Sequence, residues 1–186
     1  FTNSYFSMAA FDDMYNQVVT VNGVSKSFAM TGWRLGYIGA PNWIASACTK
    51  IQGQFTSGAS SISQRAALAA VSEDPKVVIP MKNAFLERRN YMIKELRSIS
   101  GFNINEPEGA FYLFPDVSAF FGKEFKGSKI ANANELCLFL LEEAKVALVT
   151  GNAFGSPNCI RISYAASMEE LKEAIGRIKN AISLLH

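Results

Sequence analysis

Two basic side chains in this sequence have types and a spacing that suit covalent chemistry. Lys26 lies in a loop of small, polar and apolar residues, and no acidic residue occurs between Asp13 and Glu73. If the loop is buried, desolvation favours the neutral amine, which is the form that reacts with an aldehyde to give a Schiff base. Arg34 follows eight residues later, and its guanidinium, with nearby hydroxyls such as that of Ser25, can bind a phosphate. The pair therefore suits an aldehyde cofactor that carries a phosphate group.

Lys26, and a second arginine of interest, Arg161, can also be interpreted as ordinary surface residues. A lone lysine in a serine-rich loop is usually a solvated surface residue, and composition alone favours that interpretation of Lys26. For the second arginine, alternation along 159–164 places Arg161 and Ser163 on one face of a predicted strand. There the planar guanidinium of Arg161 either binds a carboxylate bidentately or points into solvent.

Short strands and helices must position these residues. The lysine loop lies between two apolar or β-branched segments that predict strands, at 17–22 and 35–40. A long helix is predicted over about 74–99, in which Pro80 either kinks the helix or marks its true start, and Gly101 is the expected stop. The other predicted helices are 43–55, 63–71, 132–145 and 168–184, and the other predicted strands are 102–105, 110–114, 146–149 and 159–164. The last helix has the strongest signal, because Ser167 and Glu170 form a capping box.

Composition narrows the class of protein. The 186 residues are 49% hydrophobic and 18% charged, and the net charge is +2, which is typical of a folded globular protein and does not favour nucleic-acid binding. No apolar run is long enough to predict a membrane helix. Cys48, Cys137 and Cys159 are widely spaced, and we interpret them as reduced, buried thiols of a cytoplasmic protein. A single histidine, His186, argues against a zinc site or a histidine-based triad.

The lysine loop has a family resemblance. Residues 25–37 read Ser-Lys-Ser-Phe-Ala-Met-Thr-Gly-Trp-Arg-Leu-Gly-Tyr. This segment resembles the lysine loop of the class I aminotransferases, pyridoxal-phosphate (PLP) enzymes of fold type I, and is closest to the bacterial aspartate aminotransferases. Segments 107–112, 149–155 and 161–165 resemble further motifs of that family, in the family's order. The resemblance covers the whole chain and implies an α/β fold, the C-terminal part of a fold type I PLP-dependent transferase.

The resemblance also implies roles for individual residues. Lys26 would bind PLP covalently and transfer the proton between the substrate α-carbon and the cofactor, and Arg34 would bind the PLP phosphate. Arg161 would bind the substrate α-carboxylate. Many relatives have a phosphate-binding serine where this chain has Gly23. Either the backbone N–H of Gly23 serves instead, or Ser25 compensates as a cofactor-binding residue.

The implied function is transfer of an α-amino group from an amino acid to a 2-oxo acid. Aspartate and 2-oxoglutarate are the expected substrates, and aromatic, alanine-type or prephenate-type specificity stays open. The alternative is a PLP-binding, aminotransferase-like effector domain of a transcription regulator. An α/β domain with no PLP role is a third interpretation, which the ordered motifs disfavour.

The resemblance further implies a longer protein with two domains. We expect residues 1–74 to be the tail of a large, mainly parallel PLP-binding domain and residues 75–186 to be a small C-terminal α+β domain. The chain begins at Phe1 without an initiator methionine, and the family's residues around the cofactor ring belong further upstream. We therefore expect this piece alone to be inactive, and the full-length protein to be a homodimer.

Overall fold

The computed structural model describes residues 1–2 and 5–186; Asn3 and Ser4 lie outside the described residues. Residue contacts divide the chain into two compact units. The first, called here the N-terminal unit, is Thr2–Pro80, and the second, the C-terminal unit, contains Phe1 and Met81–His186.

The N-terminal unit is built on a hairpin that brackets the lysine loop. Strand β1 (Thr20–Gly23) pairs with β2 (Gly36–Gly39) in antiparallel register, with Val21 opposite Ile38. Both predicted strands are confirmed with different bounds: β1 starts three residues later and ends one residue later than predicted, and β2 is one residue shorter at each end. These two strands are antiparallel, whereas the mainly parallel sheet that we expect of the PLP-binding domain as a whole stays a prediction. The segment between them contains only a three-residue 3-10 helix, whereas the connection between parallel strands usually contains an α-helix.

Two helices complete the N-terminal unit, α1 (Asn42–Phe55) and α2 (Ser61–Ser72). Both were predicted, and α2 begins two residues before its predicted start. No residue of α1 is buried, and Trp43 and Phe55 are highly exposed. Large apolar residues of α2 are exposed as well, among them Ile62, Leu68 and Val71.

The long helix, α3, spans Ile79–Arg97 and belongs to the C-terminal unit from Met81 onward. The predicted start near Asp74 is wrong, because a separate 3-10 turn occupies Pro75–Val78, with the Asp74 side chain accepting a hydrogen bond from the Lys76 N–H (2.8 Å). Pro80 is the second residue of α3, where a missing N–H leaves no helical bond unmade. Of the two alternatives for Pro80, the start of the helix is therefore confirmed.

A three-stranded antiparallel sheet forms the centre of the C-terminal unit. Its strands are β3 (Tyr112–Leu113), β6 (Val149–Thr150) and β7 (Ile160–Ser163), in the order β3–β7–β6. Between β3 and β6 in sequence lies a small hairpin of β4 (Glu124–Phe125) and β5 (Ser128–Lys129), which we did not predict. The central strand of the sheet, β7, is the one that contains Arg161.

Three predicted strands differ from the structure. Segment 102–105 forms only an isolated bridge between Asn103 and Asp116, not a strand. The strand predicted over 110–114 is shortened to β3, because Ala110 has a φ of +60°, which no strand accommodates. The strand predicted over 146–149 instead begins at Val149.

Two helices pack together in the C-terminal unit, α4 (Ala133–Ala144) and α5 (Met168–Ile182). The capping box that the sequence predicts is present: the Ser167 hydroxyl accepts from the Glu170 N–H (3.2 Å), and the Glu170 carboxylate accepts from the Ser167 N–H (2.9 Å). The hydrogen bonds that the backbone N–H and then the side chain of Ser167 make to the Glu170 carboxylate lower its pKa. The buried faces of both helices join the core of this unit, whose largest fully buried members include Tyr164, Phe120 and Met92.

The three cysteines differ in exposure. Cys137 is buried and Cys159 is half-buried, but Cys48 is exposed, so the prediction of three buried thiols is wrong for Cys48. The apolar neighbours of Cys48 in sequence lie along α1, which buries none of its residues. All three are free thiols in the part of the chain that the structure describes. No helix of the described residues is long and apolar enough to cross a membrane.

The thiols should therefore differ in reactivity. Burial raises the pKa of Cys137 to about 11, so that this thiol stays protonated and unreactive at about pH 8. We expect iodoacetamide to modify Cys48 rapidly in the folded chain and Cys137 only after denaturant is added, as measured by mass spectrometry of the labelled peptides. Labelling of Cys137 as fast as that of Cys48 under native conditions would contradict the burial.

Candidate active site

A buried valine anchors the lysine loop to the hairpin. Val24, which directly follows β1, is fully buried, and its carbonyl accepts hydrogen bonds from the N–H groups of Phe28 (3.3 Å) and Met30 (3.4 Å). A further bond joins the Ala29 N–H to the Lys26 carbonyl (3.2 Å). Ala29 itself has a φ of +53°, a conformation that costs a non-glycine residue about 1 kcal/mol. The backbone around Lys26 is therefore a tight, hydrogen-bonded turn.

Lys26 is exposed at the surface of this turn, and Ser25 beside it is half-buried. The desolvation that our sequence interpretation required is therefore not supplied by the described residues of this chain. Burial of the Lys26 amine has to come from groups that bind over the loop. Lys26 lies on the exposed side of the turn, where such a group can cover it.

Arg34 has an unusual backbone conformation at the far end of the loop. Its φ and ψ are both 51°, in the left-handed region, and its Nη1 donates to the Thr31 carbonyl (2.9 Å). Strained residues of this kind occur preferentially where a binding site fixes them. Among the described residues this is the one hydrogen bond that the Arg34 side chain donates, and it uses one N–H group. The other N–H groups of the guanidinium can therefore bind an anion.

Two contacts of Gly23, three residues before the lysine, bear on the two alternatives for the missing serine. The backbone N–H of Gly23 donates to the Asn22 side chain (2.7 Å), so it is already used. A side chain at position 23 would also approach the Leu35 carbonyl oxygen to 3.3 Å, a crowded contact. Ser25 is therefore the better candidate to replace the missing serine.

Arg161, in the C-terminal unit, lies between two aromatic rings. Its guanidinium carbon is 4.5 Å from the centre of the Tyr112 ring and 4.6 Å from the centre of the Phe154 ring. The side chain is half-buried, and no Asp or Glu among the described residues forms an ion pair with it. Contact with two ring faces stabilises the cation and restricts its rotation while leaving the edge of the planar fork for hydrogen bonds.

We call Tyr112 and Phe154 the ring pair. The sequence favours a structural role for both residues, with active-site lining as the lesser alternative, and it does not predict their contact with Arg161. Tyr112 comes from β3, where it lies opposite Ser163 of β7. Phe154 ends the 3-10 turn Gly151–Phe154, and its ring meets that of Phe114 edge-on at 5.9 Å. The motif segments 107–112 and 149–155 each supply one ring, which is the signal that could have predicted the contact.

The turn that places the Phe154 ring begins at Gly151, where two segments of the backbone lie very close together. Gly151 is buried, its N–H donates to the Cys159 carbonyl (2.7 Å), and its carbonyl accepts from Ser156 (3.0 Å). A Cβ at this position would overlap the carbonyl oxygens of Ser156 and Cys159. Only glycine therefore fits in the turn that places Phe154.

Replacing Gly151 with alanine should displace the turn and the Phe154 ring. We expect Gly151→Ala to lower the free energy of unfolding by about 1–3 kcal/mol, the usual cost of an overpacked site, as measured by urea denaturation. Gly176→Ala, at an exposed site in α5 where an added Cβ meets no other atom, is the matched control and should be neutral or slightly stabilising. Equal stability of the Gly151→Ala and parent proteins would refute the clash.

The predicted site residues fall into two sets. Ser25, Lys26 and Arg34 belong to the N-terminal unit, on one loop, and Arg161 belongs to the C-terminal unit. The first set offers an amine, a hydroxyl and a guanidinium, which are donors suited to an aldehyde that carries a phosphate. The second offers a stacked guanidinium suited to a carboxylate.

Comparison with known proteins gives the family. The sequence profile described as aminotransferase class I and II matches residues 1–178. The chain belongs to this aminotransferase family. It is 52% identical over 183 residues to the bifunctional aspartate aminotransferase and glutamate/aspartate-prephenate aminotransferase of Petunia hybrida, covering 96% of this chain and 38% of that protein. It is 44% identical over 171 residues to an aspartate aminotransferase of Streptomyces avermitilis, covering 92% and 42%.

Comparison with a solved structure confirms that this chain has the fold of these aminotransferases. The crystal structure of the aspartate aminotransferase from Rhizobium meliloti matches with a TM-score of 0.89 and 43% identity, covering 92% of this chain and 43% of that one. The class I aminotransferase resemblance and the fold type I α/β assignment are therefore both confirmed. The chain spans about two fifths of the length of the curated relatives that it matches.

Proposed function

We propose that the protein to which this chain belongs is a PLP-dependent aminotransferase that moves an α-amino group from an amino acid to a 2-oxo acid. The observation that carries the proposal is the Arg161 guanidinium, stacked between two rings and without an acidic partner among the described residues, in a chain of the aminotransferase family. The relatives quoted above have the names of enzymes, and they give no support to the alternative of a regulator's effector domain.

The donors of the lysine loop fit PLP. We assign the amine of Lys26 to the covalent bond with the cofactor aldehyde, and Arg34 and Ser25 to its phosphate. Support comes from the hydrogen bond that fixes the Arg34 side chain and from the prior use of the Gly23 N–H by Asn22. When bound, PLP supplies an electron sink for the negative charge that develops at the substrate α-carbon.

Lys26 also has the role of acid and base. Its Nζ takes the proton from the substrate α-carbon in one direction and returns it in the other, which requires the neutral amine. Lys26 is exposed here, so bound cofactor and substrate must supply the water exclusion that keeps the amine neutral. A short hydrogen-bonded turn with a buried Val24 anchor keeps the amine in place for both directions.

Arg161 binds the substrate α-carboxylate in this proposal. A bidentate pair between a guanidinium and a carboxylate sets the orientation of the α-carbon as well as supplying affinity. The ring pair holds the fork in a single orientation, so that little rotational freedom is lost when the substrate binds. Arg161 lies on β7, the central strand of the sheet, which gives its guanidinium a rigid support.

The substrates, domains and assembly are proposed from the relatives and the family. Aspartate and 2-oxoglutarate are the first candidates, because relatives are named for aspartate, and prephenate is the second candidate from the same names. We propose that residues 1–74 belong to the PLP-binding domain and 75–186 to the small domain. A homodimer and a cytoplasmic location also remain proposals.

An assay of the full-length protein tests the function. Purified protein with PLP is incubated with aspartate, glutamate, phenylalanine or alanine as donor, against 2-oxoglutarate, oxaloacetate, pyruvate and prephenate as acceptors. We expect the fastest transfer between aspartate and 2-oxoglutarate. Transfer with no pair would refute the enzyme, and fast transfer only from aromatic donors would refute the proposed specificity.

A further inference from the structure

Tyr164 connects the strand of Arg161 to the segment that leads into Tyr112. The tyrosine lies three residues after Arg161 and is fully buried. Its N–H donates to the Phe111 carbonyl (2.9 Å), and its hydroxyl donates to the Ala110 carbonyl (3.1 Å). One residue therefore holds two successive carbonyls of the chain that immediately precedes the Tyr112 ring.

The hydroxyl bond lies at a strained position. Ala110 has a φ of +60°, a conformation that alanine rarely adopts and that needs support from its surroundings. Burial raises the pKa of Tyr164, and nearby Arg89 only partly opposes this. The hydroxyl therefore stays protonated at neutral pH and remains a donor to Ala110.

We propose that the Tyr164 hydroxyl is a positioning group that sets the Tyr112 ring against Arg161 and so controls the affinity for the substrate carboxylate. The inference rests on the proposed role of Arg161 and extends it. Tyr164 does not touch Arg161 through its hydroxyl; it acts through Ala110 and the ring of Tyr112.

A second contact, made by Arg89, holds the start of the segment that leads into Tyr112. The Arg89 side chain, on α3, donates from Nη1 to the Pro107 carbonyl (2.8 Å) and lies near Glu106 (3.5 Å). This contact keeps the beginning of the segment against α3 when the Tyr164 hydroxyl is removed. Loss of the hydroxyl should therefore shift the Tyr112 ring without unfolding the unit.

Binding of succinate to the full-length, PLP-loaded protein tests the inference, because succinate has carboxylates but no reacting amino group. We expect Tyr164→Phe to raise the Kd of succinate, measured by calorimetry, by about 3- to 10-fold, the range of one lost hydrogen bond. The amino-acid KM should rise by a similar factor, with kcat nearly unchanged. Tyr91→Phe, which removes the same atom from a half-buried tyrosine of α3, is the control and should leave Kd unchanged.

A double-mutant cycle separates positioning from general structure. If Tyr164 acts through the Tyr112 ring, adding Tyr164→Phe to Tyr112→Leu should produce no further rise in Kd. The inference would be overturned by additive effects of the two substitutions or by an unchanged Kd in Tyr164→Phe. It would also be overturned if the Tyr164→Phe protein showed no cooperative unfolding transition in a thermal melt. Arg161→Ala separates a failure of the proposed function from a failure of this inference. If Arg161→Ala leaves succinate binding unchanged, the proposed role of Arg161 is wrong. If Arg161→Ala weakens binding and Tyr164→Phe does not, only the inference about Tyr164 is wrong.

Discussion

Lys26→Ala in the full-length protein is expected to reduce amino-group transfer by about 10⁴-fold or more, because one amine provides both the covalent bond to PLP and the acid–base step. The loss should appear in kcat, since Arg161 and Arg34 still bind substrate and phosphate. The measurement is the steady-state rate of glutamate formation from aspartate and 2-oxoglutarate with PLP in excess.

Lys50→Ala is the matched control. Lys50 lies on α1 and is exposed, as Lys26 is, so its removal changes the net charge equally. We expect its rate to stay within about twofold of the parent, as is usual for exposed positions. If Lys26→Ala retains more than a few per cent of the parental rate, the assignment of the catalytic lysine is wrong.

Arg161→Ala is expected to raise the KM for both amino acid and 2-oxo acid by about 100-fold or more. Removing one member of a desolvated guanidinium–carboxylate pair costs about 2–5 kcal/mol, and the carboxylate would then face two aromatic rings. Arg161→Lys should recover part of the affinity, because it restores the charge without the planar fork. The measurement is a set of saturation curves for each substrate.

Arg177→Ala provides the comparison for Arg161. Arg177 is exposed on α5 and pairs with Glu173 one helical turn away, a contact worth about 0.3–0.5 kcal/mol. Its loss should leave both KM values unchanged. An Arg161→Ala enzyme with parental KM values would place the carboxylate site elsewhere.

Local patterns in the sequence predicted the parts of the fold that depend on neighbouring residues. The capping box of Ser167 and Glu170 is an interaction across three residues, and the structure contains it as expected. The strands on either side of the lysine loop and the helices α1, α2, α4 and α5 were likewise found within a few residues. Lys26 and Arg34 were selected by their loop, and the family that the loop resembles is confirmed.

Features that depend on distant residues were not predictable in the same way. The short β3 results from the turn at Ala110, which Tyr164 supports from 54 residues away. The ring pair around Arg161 joins β3 to the turn at Phe154, two segments that are far apart in the sequence and adjacent in the fold. The sequence left burial or exposure of Lys26 open for a related reason: burial depends on what covers a loop, which local composition does not determine.

Chemical trapping of the cofactor tests the central claim most directly. The full-length protein is loaded with PLP, reduced with borohydride, digested and examined by peptide mass spectrometry. We predict that the pyridoxyl group is found on Lys26 and that the Lys26→Ala protein has none. A pyridoxyl group on another lysine of the parent protein, or on none, would contradict the account.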